Sequence, residues 1–195
     1  MTEPLLRVFG LLPESHVNGP GRRAVVHLQG CTLGCPGCFN PESHAPLGGT
    51  TMTVDAVCDA LLASRPDGVT ISGGEPFQQP EALLALVTRL RARGVASLLV
   101  FSGYALDELE QLPLGPSILE RIDVVVAGRY DVKLPGGGLL GSGNQRLVRL
   151  TDRHGLDELS GDGLVAELTI RPDGTVILTG FPSAELRRAV RELSG

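Results

Sequence analysis

Tryptophan is absent from the 195 residues, tyrosine occurs twice and phenylalanine five times. Basic residues never gather into a block, and 17 Lys plus Arg stand against 22 Asp plus Glu. A dedicated nucleic-acid binder needs a concentrated basic surface, so no nucleic-acid partner is expected. No apolar run reaches the ~20 residues that cross a bilayer. Residues 1–12 carry an acid at Glu3 within a broken apolar stretch, which makes a poor signal peptide. No membrane association and a cytoplasmic location are therefore expected. Cysteine is scarce too, four in all, too few for a disulfide scaffold. Internal repeats and low-complexity linkers are missing.

What is there suits one domain. The hydrophobic share is 42%, enough for a full core, and the length is short for two units. We expect a single domain over residues 1–195, with a core of about 17–150 and an extension, 151–195, packed on it. Residues 24–29 (AVVHLQ) read as a buried strand. Residues 54–64 read as a helix, since Val54, Val57, Cys58, Leu61 and Leu62 fall on one face, with Thr53 as N-cap. A strand over 68–72 ends at Gly73-Gly74, and a helix over 80–93 stops at Gly94. A strand over 96–101 ends at Ser102-Gly103-Tyr104. Two short helices, 106–112 and 117–121, precede a strand at 123–127. A glycine-rich loop (134–143) and a strand at 146–150 follow. Residues 164–170 and 175–179 flank the turn Arg171-Pro172-Asp173-Gly174 as a β-hairpin, and a helix over 183–193 is capped by Ser183. Repeated β-loop-α units imply an α/β fold with a parallel sheet. In such folds the site lies at the carboxyl ends of the strands, where the unusual residues cluster.

Cys31, Cys35 and Cys38 supply three thiols from one loop. Soft sulfur suits iron–sulfur clusters and zinc. A four-iron cluster normally takes four thiolates; with three, one iron stays open. A zinc site would need a fourth ligand such as His27, His44 or Cys58. The Cys35-Pro36-Gly37-Cys38 dithiol alone suits thiol redox chemistry, which leaves Cys31 without a role. Cys58 sits on the apolar face of its helix and reads as a core thiol.

The CxxxCxxC loop after a strand and Ser72-Gly73-Gly74-Glu75-Pro76 after the next strand resemble the radical S-adenosylmethionine (SAM) superfamily. Val17-Asn18-Gly19-Pro20-Gly21-Arg22 resembles a motif of glycyl-radical-enzyme activases. Cys35 to Asn40, Ser102-Gly103-Tyr104 and Gly141-Ser142-Gly143-Asn144-Gln145 are similar to the branch that activates anaerobic ribonucleotide reductases. The likeness runs over residues 17–150. Two places depart from it: Gly37 stands where many members carry an aromatic, and Ala127 where the branch has an Asp.

The resemblance implies an open partial (β/α) barrel and a [4Fe-4S] cluster held by Cys31, Cys35 and Cys38. The free iron would chelate SAM, and reductive cleavage would give a 5′-deoxyadenosyl radical that abstracts a hydrogen atom. Gly37, Cys38 and Phe39 would line the adenine side, with Gly73, Gly74 and Glu75 at the methionine end. Ser102 and Tyr104 would face the nucleoside, and Asn144 and Gln145 the ribose or substrate. The implied partners are a large glycyl radical enzyme and a flavodoxin-like electron donor. A small-molecule enzyme like 7-carboxy-7-deazaguanine synthase, and a non-catalytic metal-binding or thiol-redox protein, are the alternatives. His16, His27, His44 and His154 read as surface or satisfied core residues, and Arg22-Arg23 as a solvated pair. The extension either covers a sheet edge or forms a docking surface.

Overall fold

The computed structural model describes residues 4–159, 166–170, 174 and 176–193. Branched apolar residues build its centre: β2 (Arg23–Leu28), β4 (Gly68–Gly73), β5 (Leu98–Ser102) and β6 (Val124–Ala127) pair in parallel in that order. Three more strands flank them antiparallel. β1 (Leu5–Ser15) lies on β2, β3 (Thr50–Thr53) on β1, and β7 (Arg146–Arg149) on β6. The result is one seven-stranded sheet with a parallel centre and antiparallel edges.

The sequence pattern hides β1 and β3. In β1 the alternation of buried Leu6, Val8 and Leu12 is broken by a register shift between Val8 and Gly10. A bulge of this kind erases the period of two on which a strand is recognised.

One face of the sheet is covered by helices. α1 (Val54–Leu62) starts at Thr53, whose side chain accepts from the Ala56 N–H, and buries Val57, Cys58 and Leu61 fully. α2 (Pro80–Ala92) buries Leu83, Leu86, Val87 and Leu90. Each such aliphatic side chain removed from water contributes about 1.5–3 kcal/mol. α3 (Leu106–Gln111) and α4 (Gly115–Leu119) complete this layer through Leu109 and Ile118. Burial pushes the Cys58 thiol up to about 11, so it stays protonated, in the core and away from the cysteine loop.

The opposite face is polar at its amino end. Arg23 is fully buried, not solvated. Its guanidinium donates to Thr70 Oγ1 (2.6 Å), Val69 O (2.6 Å), Ser97 Oγ (3.0 Å) and Pro20 O (3.2 Å). Desolvation lowers its pKa to about 10, so it remains charged at pH 7. Strand alternation turns Arg23 to this face, and two glycines make the room. A Cβ on Gly19 or Gly68 would stand 2.7 Å or 2.5 Å from the Arg23 side chain. Arg22 does stay at the surface, bonding the Arg65 carbonyl at 2.7 Å.

After β7, α5 (Leu156–Leu159) buries Leu159. β8 (Ala166–Ile170) and β9 (Val176–Gly180) form a separate antiparallel pair, and α6 (Ala184–Leu193) follows. Residues 164–165, Arg171, Pro172, Asp173 and Thr175, which the hairpin reading includes, lie outside the described residues. Among the described residues no helix is long and apolar enough to cross a membrane.

Candidate active site

The cysteine loop leaves the carboxyl end of β2 and is stitched back at once. The Gly30 N–H donates to Ser43 O (2.7 Å) and the Cys31 N–H to His44 O (3.1 Å). The Gln29 amide donates to Ala45 O at 2.7 Å. The Cys38 N–H closes a turn on Cys35 O (3.2 Å), with Gly37 at φ +74°, a left-handed conformation that glycine adopts without strain. Gln78 clasps the other side. Its carbonyl accepts from the Thr32 N–H (3.0 Å), and its amide donates to Thr32 Oγ1 (2.8 Å) and Tyr104 Oη (3.0 Å).

Cys31, Cys35 and Cys38 are half-buried and line one cavity of about 640 Å³. Burial pushes the Cys31 and Cys38 thiols up, and the negative charge of neighbouring thiolates adds to it. A bound cationic cluster relieves both effects, because metal ligation deprotonates a thiol. Among the described residues no three His, Cys, Asp or Glu side chains converge on a single ion. A single zinc ion needs that convergence. A cubane does not, since each thiolate takes a different iron.

The Gly-Gly-Glu turn abuts the cysteine loop. The Gly74 N–H donates to Leu28 O (2.7 Å) and the Glu75 N–H to Gly30 O (2.9 Å). A Cβ on Gly73 would lie 2.2 Å from Leu28 N, and one on Gly74 would lie 2.3 Å from Gly30 O. Both positions therefore need glycine for backbone to meet backbone, whatever else they touch.

Glu75 is buried, and its carboxylate accepts from the Phe77 N–H (3.0 Å), Ser102 Oγ (2.9 Å) and the Gly103 N–H (2.7 Å). Desolvation nonetheless raises its pKa to about 7. Ser102 also accepts from the Tyr104 N–H at 3.1 Å. The pair ties the end of β4 to the end of β5.

Cys31, Cys35, Cys38, Phe39, Gly73, Gly74, Glu75, Ser102 and Gln145 all line the cavity. Gly37, Tyr104 and Asn144 are not among its lining residues. Gly37 packs on Val132, and the Tyr104 hydroxyl turns to Gln78. The Asn144 amide donates to Arg129 O at 2.7 Å, and that of Gln145 to Gly128 O at 2.9 Å. Both close loop backbone after β6.

Sequence reasoning missed Gln78, although it stands two residues after Pro76 in the same motif. It also missed an aromatic run: Phe39 meets Tyr130 (centroids 4.7 Å apart) and Phe181 (5.5 Å), which meets Phe101 (6.0 Å). Phe101 alternates with Leu99 on the inner face of β5, a signal that was available.

His154 is satisfied by Ser97 Oγ (2.7 Å) and Glu158 (2.9 Å). His27 is neither exposed nor satisfied: Nδ1 is buried without a hydrogen-bond partner and the ring lines the cavity. Burial lowers its pKa to about 4, so a neutral imidazole faces whatever fills the space.

An incomplete thiolate set beside a cavity sized for a nucleoside is suited to an iron–sulfur cluster that shares one iron with a small ligand, which is the radical SAM class of site. Comparison with known proteins agrees. The family described as the 4Fe-4S single cluster domain matches residues 17–148. The anaerobic ribonucleoside-triphosphate reductase-activating protein of Enterobacteria phage T4 is 34% identical over 149 residues, 73% of this chain and 93% of that one. Its namesake from Salmonella typhimurium is 33% identical over 151 residues, 72% and 96%. The pyruvate formate-lyase-activating enzyme of Clostridium pasteurianum is 34% identical over 126 residues, 62% of this chain and 50% of that one. A crystal structure of QueE from Escherichia coli aligns at a TM-score of 0.39 and 20% identity over 52% of each chain, too distant to bear on function.

The chain belongs to the 4Fe-4S single cluster family, in the radical SAM branch of glycyl-radical-enzyme activating proteins. Its cofactors are a [4Fe-4S] cluster and SAM, and the site's residues fit both.

Proposed function

We propose that this chain generates a glycyl radical on a partner enzyme of the anaerobic ribonucleotide reductase type. One observation carries the reading: three thiols and the Gly-Gly-Glu turn, on adjoining parallel strand ends, line a single cavity. The cluster and SAM together supply the radical that abstracts a hydrogen atom.

The chain's own part is position and exclusion of water. Cys31, Cys35 and Cys38 would hold the cluster through three thiolates, one fewer than its four irons. Glu75 would accept an N–H hydrogen bond from the amino group of SAM with the lone pair its three donors leave. Gly73 and Gly74 keep that turn pressed on the cysteine loop. Phe39 gives the adenine an apolar wall with Tyr130. Gly37 supports the turn into Cys38, and Gln145 lies at the ribose or substrate side. Ser102 fixes the Glu75 carboxylate, while Tyr104 and Asn144 act from behind as supports for the loops.

The sheet is read as an open partial barrel, and residues 1–195 as one domain working in the cytoplasm. A flavodoxin-like protein would deliver the electron.

The test is to reconstitute the protein anaerobically and add SAM, a reductant and an anaerobic ribonucleotide reductase. The expected result is 5′-deoxyadenosine together with a glycyl radical signal on the reductase by electron paramagnetic resonance. 5′-Deoxyadenosine formed with no radical on any such partner would move the assignment to a small-molecule substrate.

A further inference from the structure

The family match ends at residue 148, yet the chain beyond it forms one wall of the cavity. Asn18, in the motif before β2, donates from its side-chain amide to Thr179 Oγ1 at 2.9 Å, and both residues are buried. That bond sets β9 against the amino-terminal part of the sheet. Phe181 then stands edge-on to Phe39 and Phe101. Gly141 leaves space for it, since a Cβ there would lie 3.1 Å from the Phe181 ring. Ser183 Oγ accepts from the Leu186 N–H at 3.1 Å, which fixes the first turn of α6. In that turn the Arg187 guanidinium lies 4.9 Å from the centre of the Phe39 ring and donates to Gly37 O at 3.4 Å.

An aromatic ring held edge-on by a second ring and faced by a cation keeps one orientation. Phe39 directly follows Cys38, so holding its ring also holds the turn that carries two of the three thiols. We propose that residues 176–190 are a built wall of the cofactor cavity, in which Phe181 and Arg187 are positioning residues for Phe39 and the Cys35–Cys38 turn. The proposal rests on the reading that this cavity holds SAM beside a cluster. It goes further by assigning cofactor binding to a segment outside the family match.

The test compares wild type with Phe181→Ala/Arg187→Ala, Arg187→Lys and Arg187→Met, all reconstituted anaerobically. It measures iron per chain, the rate of iron loss to a chelator, the equilibrium dissociation constant for SAM, and KM and kcat for 5′-deoxyadenosine formation. In the double variant, iron content after reconstitution should match wild type. Its SAM affinity should fall about tenfold, iron should leave several-fold faster, and KM should rise with kcat little changed. Arg187→Lys should keep most of the affinity and Arg187→Met should not, because a lysine preserves the cation over the ring. This pair also decides the matter if the double variant misfolds, since Arg187 is only half-buried. Wild-type affinity and iron retention in a folded double variant, or equal behaviour of the Lys and Met variants, overturns the proposal alone. A wild-type protein that takes up no cluster or binds no SAM overturns this proposal and the functional reading together.

Discussion

Alanine at Cys31, Cys35 or Cys38 is expected to drop iron from about four per chain to below one and to abolish SAM cleavage. The three thiols line one cavity from one loop. Losing one leaves two irons of a cubane without thiolate ligands, and the remaining cysteine, Cys58, lies in the core away from the loop. The buried Cys58 is the internal control. Cys58→Ala should keep full iron content and lose about 1 kcal/mol of stability from the vacated core. Iron analysis and cluster absorbance read both outcomes. Retained cluster in all three loop variants would remove the basis for the assignment.

The second large effect concerns Glu75. Three donors converge on its carboxylate, and Glu75→Gln forces an amide N–H toward one of them. The expected loss is about 1–3 kcal/mol of stability. Acidity adds a sharper signature.

Burial raises the Glu75 pKa from 4.5 to about 7, so between those values the folded protein keeps a proton that the unfolded chain has lost. Its stabilising contribution is complete below pH 4.5 and is lost as pH rises to 7, amounting to about 3 kcal/mol over the window. A cationic ligand prefers the ionised carboxylate. Protonation of the Glu75 carboxylate should therefore weaken SAM binding about tenfold at pH 6 relative to pH 8, in addition to the effect of the proton that the amino group of SAM itself loses when it ligates iron. Glu75→Gln should remove the Glu75 share of that dependence and leave the remainder. The same pH dependence in wild type and Glu75→Gln would separate Glu75 from the amino group of SAM.

The parts of the site legible in the sequence are those whose meaning is local. The CxxxCxxC spacing and the Gly-Gly-Glu turn each occupy a few consecutive residues, and the strands before them are short and rich in branched apolar residues. α1 was equally readable, since its apolar stripe and its Thr53 cap lie within one segment.

What escaped depends on contacts between distant segments. Arg23 looks like a surface charge until Thr70 and Ser97, 47 and 74 residues away, supply its partners. The glycines that admit it, Gly19 in the motif before β2 and Gly68 at the start of β4, carry no local mark of that role. The Arg187–Gly37 contact spans 150 residues, so nothing in either segment announces it. Asn144 and Gln145 have the hydrogen-bonding capacity of ligand contacts, but the loop backbone after β6 takes their amides first. In an irregular loop the main chain has the prior need for partners.

If Cys31, Cys35 and Cys38 alone hold a cubane, one of its irons is left for SAM to occupy. The most direct measurement is Mössbauer spectroscopy of iron-57-reconstituted protein before and after SAM is added, with electron paramagnetic resonance of the reduced cluster alongside. SAM should change the environment of one iron in four and shift the reduced-cluster signal. A cluster whose four irons are indifferent to saturating SAM would contradict it.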